Sequence, residues 1–180
     1  MPTSSSGRPG SARGRCCPLP EVTYPFEPRS NARLEAGQFW GIPLSDGRFA
    51  CGRILAVPRS PDPAYPVNAR TFLAGLLDWV GDSPPTSETI AGAPLWTQGF
   101  VHIKAIRENG GLVLGSRPLE LDGIEPASWL SHPIDGVTWV YAGATPIRPA
   151  GPGDAGLPVV EGWGFKLIER LAEQAFVGRP

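Results

Sequence analysis

The stretch from Gly37 to Leu55, GQFWGIPLSDGRFACGRIL, sets two apolar runs on either side of an Asp46-Gly47 pair. Asp-Gly between alternating apolar runs is a strong local signal for a β-hairpin, because glycine accepts the positive φ that a tight turn demands. Ending the two strands on a two-residue turn would set Leu44 against Phe49, Ile42 against Cys51, Gly41 against Gly52 and Trp40 against Arg53. The two glycines would then lie opposite each other and bare one face of the ribbon, as a sharply coiled sheet requires. On the other face Arg53 would lie over the Trp40 ring, a cation–π pairing.

The rest of the chain points the same way. It holds 23 glycines and 22 prolines in 180 residues, a quarter of the whole, which excludes a long helical bundle and favours short strands with many turns. Strands are expected at 38–44 and 48–57 for the first hairpin. A second hairpin is expected from QGFVHIKAIRE at 98–108 and GLVLG at 111–115, across Asn109-Gly110, and a further strand from GVTWVYAG at 136–143. Two helices are expected. TFLAGLLDWV at 71–80 follows a Thr71 cap and would bury Phe72, Leu76, Trp79 and Val80. GFKLIERLAEQAFV at 164–177 puts Phe165, Ile168, Leu171, Ala172, Ala175 and Phe176 on one stripe, with Lys166, Glu169, Arg170 and Glu173 off it. The fold class is therefore α+β: a small curved antiparallel β-sheet or an SH3-like barrel, with one or two packed helices. Residues 1–30 read as a disordered basic tail, and 31–180 as a single globular domain ending in the helix at 164–177.

Charge narrows the choice of partners. Residues 1–20 carry Arg8, Arg13 and Arg15 and no acid, so a whole-chain net charge of −1 leaves the remainder at −4. An acidic body lacks the basic stripe that nucleic acid requires, so no nucleic-acid surface is expected on it; the tail reads as a solvated extension. No apolar run is long enough to span a bilayer as a helix. The cysteines are Cys16, Cys17 and Cys51, which make neither a disulfide framework nor a zinc spacing, and a reduced cytoplasmic setting is expected.

Candidate chemistry is sparse. Cys51 with His102 or His132 would supply a thiol and a base. Cys51, however, lies within a predicted strand, where a lone cysteine is usually a small core hydrophobe. His102 alternates along its strand as a rim residue, and His132 precedes a proline turn. No catalytic residue, cofactor or metal is therefore expected. Binding residues are easier to nominate: the window 78–96 holds Asp78, Asp82 and Glu88, no basic residue, and Trp79 and Trp96 near its ends. An acidic loop flanked by aromatic anchors suits a basic partner cleft. Trp40 and Arg53 complete the candidate surface.

The first hairpin, with its glycine before an aromatic, then PL, DG, an aromatic and GRI, resembles the opening of the immunity protein 26 family of bacterial toxin-immunity systems. PTSETIAGAPLWTQGFVHIKAIRENGGLVLG, from 85 to 115, is similar in order to that family's middle region. The resemblance covers roughly 34–120 and implies a non-catalytic protein that binds and silences a cognate toxin. A rival resemblance, to SH3-like-barrel ribonuclease toxins, rests on GQFWGIPL, but FACGRIL lacks their Arg-Pro strand. A peptide-binding module, with Trp40, Trp79 and Trp96 lining a groove, is the remaining alternative.

Overall fold

A computed structural model describes residues 22–59, 68–132, 136–159 and 162–179. Its principal element is a five-stranded antiparallel sheet of β1 (Gln38–Pro43), β2 (Phe49–Ala56), β3 (Thr71–Gly81), β4 (Leu95–His102) and β5 (Gly115–Ser116), in the order β4-β3-β2-β1-β5. A second sheet, β6 (Ser128–Leu130), β7 (Trp139–Ala142) and β8 (Thr145–Pro149), is a three-stranded antiparallel meander. The helices are a single turn, α1 (Lys104–Arg107), and the C-terminal α2 (Leu167–Phe176). The α+β class holds, but the sheets are open. The outer strands of the larger sheet, β4 and β5, do not meet, and the expectation of an SH3-like barrel is corrected.

The sheet is covered on both faces. Trp40, Ile42, Ile54, Phe72, Ala74, Leu76 and Val101 line the first, where α2 lays down Ile168, Ala172 and Phe176. Phe39, Cys51, Leu55, Leu73 and Leu77 line the second, beneath Ile90, Leu119 and Ile124 from two irregular segments. Fully burying an isoleucine or phenylalanine contributes about 1.5–3 kcal/mol, so α2 is a substantial part of the first core. Glu173 holds it in place by accepting from the Ser45 amide at 2.7 Å and the Ser45 hydroxyl at 2.8 Å, while Arg48 donates to the Phe176 carbonyl at 2.9 Å.

Two-sided burial explains why residues 71–80 form a strand rather than the expected helix. Phe72 through Leu77 are all buried, so the polar alternation of a half-exposed strand is missing, and Phe72-Leu73-Ala74-Gly75-Leu76-Leu77 reads as a helical stripe. The second expected hairpin is also absent. After His102 the chain turns into α1, burying Ile103, Ala105 and Ile106, and β5 joins β1 at the far edge of the sheet.

The first hairpin forms with its register shifted by one residue. Leu44 donates its amide to the Arg48 carbonyl at 2.8 Å, and Gly47 at φ +88° closes a loop of Ser45, Asp46 and Gly47. Three-residue loops with a left-handed last residue are common hairpin closures. Trp40 consequently pairs with Gly52 and Gly41 with Cys51. The two glycines answer different needs on opposite faces. The Trp40 indole lies across Gly52, where a Cβ would fall inside the ring. A Cβ on Gly41 would crowd Pro85 at 3.2 Å on the second face. Arg53 also faces the second core and pairs with Phe39, so the expected Arg53–Trp40 stacking does not occur.

At the N-terminus the ordered chain extends further back than the expected boundary near residue 30. Phe26 is buried and bridges Val113, with main-chain bonds of 3.0 and 2.9 Å. Residues 1–21, which hold most of the basic tail, and most of the loop at 58–66 lie outside the described residues. Gly52→Ala is expected to destabilise the protein by about 1–3 kcal/mol, because a methyl would have to displace the indole of a fully buried tryptophan. Urea unfolding measures it, and a change below about 0.3 kcal/mol would contradict this register.

Candidate functional site

The covering of the second face is built from two segments that carry almost no regular structure. In the first, residues 82–94, Thr86 and Thr89 bond reciprocally: each main-chain amide donates to the other's hydroxyl, at 2.9 and 3.3 Å. Local side-chain bonds of this kind stabilise turns in place of helix or strand. The turn drives Ile90 into the core and leaves Glu88 exposed. The Glu88 carboxyl is held below its ordinary value by its own backbone amide and by Thr86. The second segment, residues 115–125, places Leu119 and Ile124 in the same core around a 3-10 turn at Leu119–Asp122.

Asp122 joins these segments to the sheet. Its carboxylate accepts from Arg53 Nη1 at 2.6 Å, from Arg117 Nε at 2.9 Å and from the Gly92 amide at 2.9 Å. The Arg53 and Asp122 side chains are both fully buried, and Arg53 also donates to the carbonyls of Arg117 and Pro118. Burial pushes the Asp122 carboxyl up, but the Gly92 amide and the two guanidinium groups outweigh it and hold the group below its ordinary 3.8. The two segments carry more exposed acids than bases: Asp82, Glu88, Glu120 and Glu125 are exposed and make no ion pair among the described residues, the Arg117 side chain is 21% exposed, and Leu121 is 64% exposed.

The structure separates the seven nominated binding residues. Asp82 and Glu88 lie on the acidic layer. Trp79 packs half-buried against the second core beneath it, its indole lying over Gly81. Asp78 and Trp96 sit instead beside the end of α2, where Asp78 pairs with Arg179 at 2.6 Å and the Trp96 ring, 43% exposed, lies 6.2 Å from Phe176. Trp79 and Trp96 therefore do not flank one acidic loop as a pair of anchors. Trp40 and Arg53 have no exposed surface and act within the fold, the first as the lid on Gly52 and the second as partner of Asp122. A groove lined by Trp40, Trp79 and Trp96 does not form. Glu120, Leu121 and Glu125 were not legible as parts of the same covering layer as Glu88, because their segments are joined by tertiary contacts, the Asp122–Gly92 bond and the shared core of Ile90, Leu119 and Ile124.

The groups with catalytic potential are placed differently. Cys51 is fully buried, and burial pushes its thiol far above its ordinary value, leaving no thiolate at neutral pH. His102 Nδ1 accepts from the Lys104 amide at 3.1 Å, and burial, Arg70 and Lys104 together lower its pKa. Among the described residues no three His, Cys, Asp or Glu side chains gather as metal ligands, and no helix is long and apolar enough to cross a membrane.

A family model described as immunity protein 26 matches residues 35–132, just over half of the chain and the span from β1 through β6. No curated protein and no solved structure matches.

Replacing Asp122 with Asn leaves two buried or half-buried guanidinium groups short of their counter-charge, and is expected to cost about 3 kcal/mol or more. A carboxylate with a depressed folded pKa contributes stability that is complete above its unfolded value and lost as pH falls through the folded one. The native protein should therefore lose stability between about pH 5 and about pH 3 more steeply than Asp122→Asn. Urea melts across that range measure the difference; parallel pH profiles would contradict the role given to Asp122.

Proposed function

The chain belongs to the immunity protein 26 family, and from that premise we propose that it binds and neutralises a cognate bacterial toxin without performing catalysis. The observation that carries the reading is the family match across residues 35–132, which takes in the acidic layer and the Asp122 cluster beneath it. An inhibitor of this kind needs a rigid complementary surface rather than an arranged nucleophile. Asp82, Glu88, Glu120 and Glu125 offer exposed negative charge on the two covering segments and Leu121 an exposed apolar group on one of them, and that combination suits a basic cleft with an apolar floor. In this proposal Asp82 and Glu88 keep the role their sequence suggests, Glu120, Leu121 and Glu125 join them, and Asp78, Trp79 and Trp96 fall to the margin. The setting is the reducing cytoplasm, where the toxin would act or be made.

Co-expression with the product of a neighbouring toxin reading frame tests the proposal. Cell survival together with a stable co-purified complex is the expected result; toxicity of this chain alone would overturn it in favour of the ribonuclease alternative. Within the complex, exchanging Asp82 and Glu88 for lysine should weaken binding by more than about tenfold, since like charge across an interface costs several kcal/mol. An unchanged affinity, measured by titration of the purified partner, would remove the acidic layer from the interface.

A further inference from the structure

A cleft of about 390 Å³ lies at the outer edge of β4, within the usual volume range of ligand sites. Thr97 and Gln98 both border it, although neighbouring residues of a strand point to opposite faces. Thr97 pairs with Leu76 of the first core, while Gln98 pairs with Gly75, where an added Cβ would meet Leu55 of the second. A cleft that touches both residues wraps around the strand's edge and runs along its main chain. The aromatic walls agree. Trp163 lies across Gly99 and belongs to the first core, whereas Trp129 sits against Phe100 on the second face, with ring centroids 5.2 Å apart.

The direction of the main-chain groups follows from two bonds. Ile103, the residue after β4, donates its amide to the Arg70 carbonyl at 2.8 Å, so odd-numbered residues bond to β3 and even-numbered ones face outward. Phe100 obeys this rule: its carbonyl accepts from the Trp163 amide at 2.7 Å, and it bridges Gly162 in parallel. The chain thus lays an extended segment of its own on this edge. Two residues back the arrangement ends. Val159 bridges Leu130 of β6 instead, and the outward amide of Gln98 has no hydrogen-bond partner among the described residues. Unpaired groups on a strand edge are a ready template for an added strand. None of the described residues lining the cleft is charged, and Pro158 and Val159 close its far side, which leaves room for one extended segment but not for the sheet edge of a second copy. We propose that the cleft receives an extended, uncharged segment of the protein partner, added to β4 as an edge strand. One of its main-chain carbonyls accepts from the Gln98 amide, and its alternate side chains lie against Trp163 on one face and Trp129 on the other. The inference rests on the proposed function only for the segment being the toxin's, and the edge is testable on this chain alone.

Two measurements on the full chain test it. In amide hydrogen exchange of the free protein, Gln98 should exchange faster than Gly99 and Val101, which bond to β3; equal protection would overturn the open edge. In a titration with acetyl-Thr-Val-Thr-Val-methylamide, saturable shifts are expected at the Gln98 amide and at the Trp129 and Trp163 indoles. The same peptide N-methylated at both valines cannot approach as a strand and should bind more weakly by about tenfold. Gln98→Pro removes the donor at a position where a sheet edge tolerates proline, and should abolish the indole shifts. Val159→Lys places a charge on an exposed part of the far wall and should weaken binding several-fold. Unchanged dispersion of the remaining indole signals shows that each variant has folded; should Gln98→Pro fail to fold, Val159→Lys and the N-methylated peptide still decide. Equal binding of the two peptides, shifts spread evenly over all six tryptophans, or no saturable shift at about 10 mM would overturn the proposal. Pairing of β4 with a second copy, seen as slow Gln98 exchange that quickens on dilution, would overturn it as well. A chain that protects cells against a toxin yet shows none of these responses would keep the proposed function and lose the edge site.

Discussion

The ion pair of Arg53 and Asp122 is the interaction on which the second covering layer depends. The segments at 82–94 and 115–125 have little regular backbone bonding of their own, and Asp122 ties both to β2 through Gly92 and Arg53. Buried ion pairs are poor sources of net stability, because desolvation offsets most of the attraction, but they are costly to break and they fix position. Here position matters. Two side chains and one main-chain amide converge on a single carboxylate, and that convergence holds both covering segments against β2.

The two sides of the sheet are stabilised by different means. On the first face an amphipathic helix buries Ile168, Ala172 and Phe176 and is pinned by Glu173 to the hairpin loop. On the second face hydrophobic burial by Ile90, Leu119 and Ile124 is joined to the polar cluster. The family match spans the sheet and the second covering, while α2 lies beyond it. The surface proposed for partner binding thus belongs to the part that matches the family, and the first core is completed by residues outside it.

Local patterns were legible where one face of an element meets solvent or where a turn has its own chemistry. Asp46-Gly47 marked the hairpin, and the stripe ending in Ala172 and Phe176 marked α2. The register was misplaced by one residue because Ser45 joins the loop, and nothing in Ser-Asp-Gly distinguishes a two-residue closure from a three-residue one. Strand β3 was hidden for a different reason: burial on both sides removes the period of two that identifies a strand. Of the site, Asp82 and Glu88 were readable as an acidic loop. Glu120, Leu121 and Glu125 were not, since the joining of their segment to residues 82–94 comes from tertiary contacts at Asp122. Arg53 looked like a surface aromatic partner, because a strand arginine gives no sign in sequence that a buried carboxylate waits 69 residues away.

Amide hydrogen exchange of the chain, alone and in complex with a toxin that it protects cells against, locates the binding surface. New protection is expected to concentrate in residues 82–94 and 117–125, with the sheet beneath them already protected in the free protein. Protection that instead gathers on β8 or the outer face of α2, with these two segments unchanged, would contradict it.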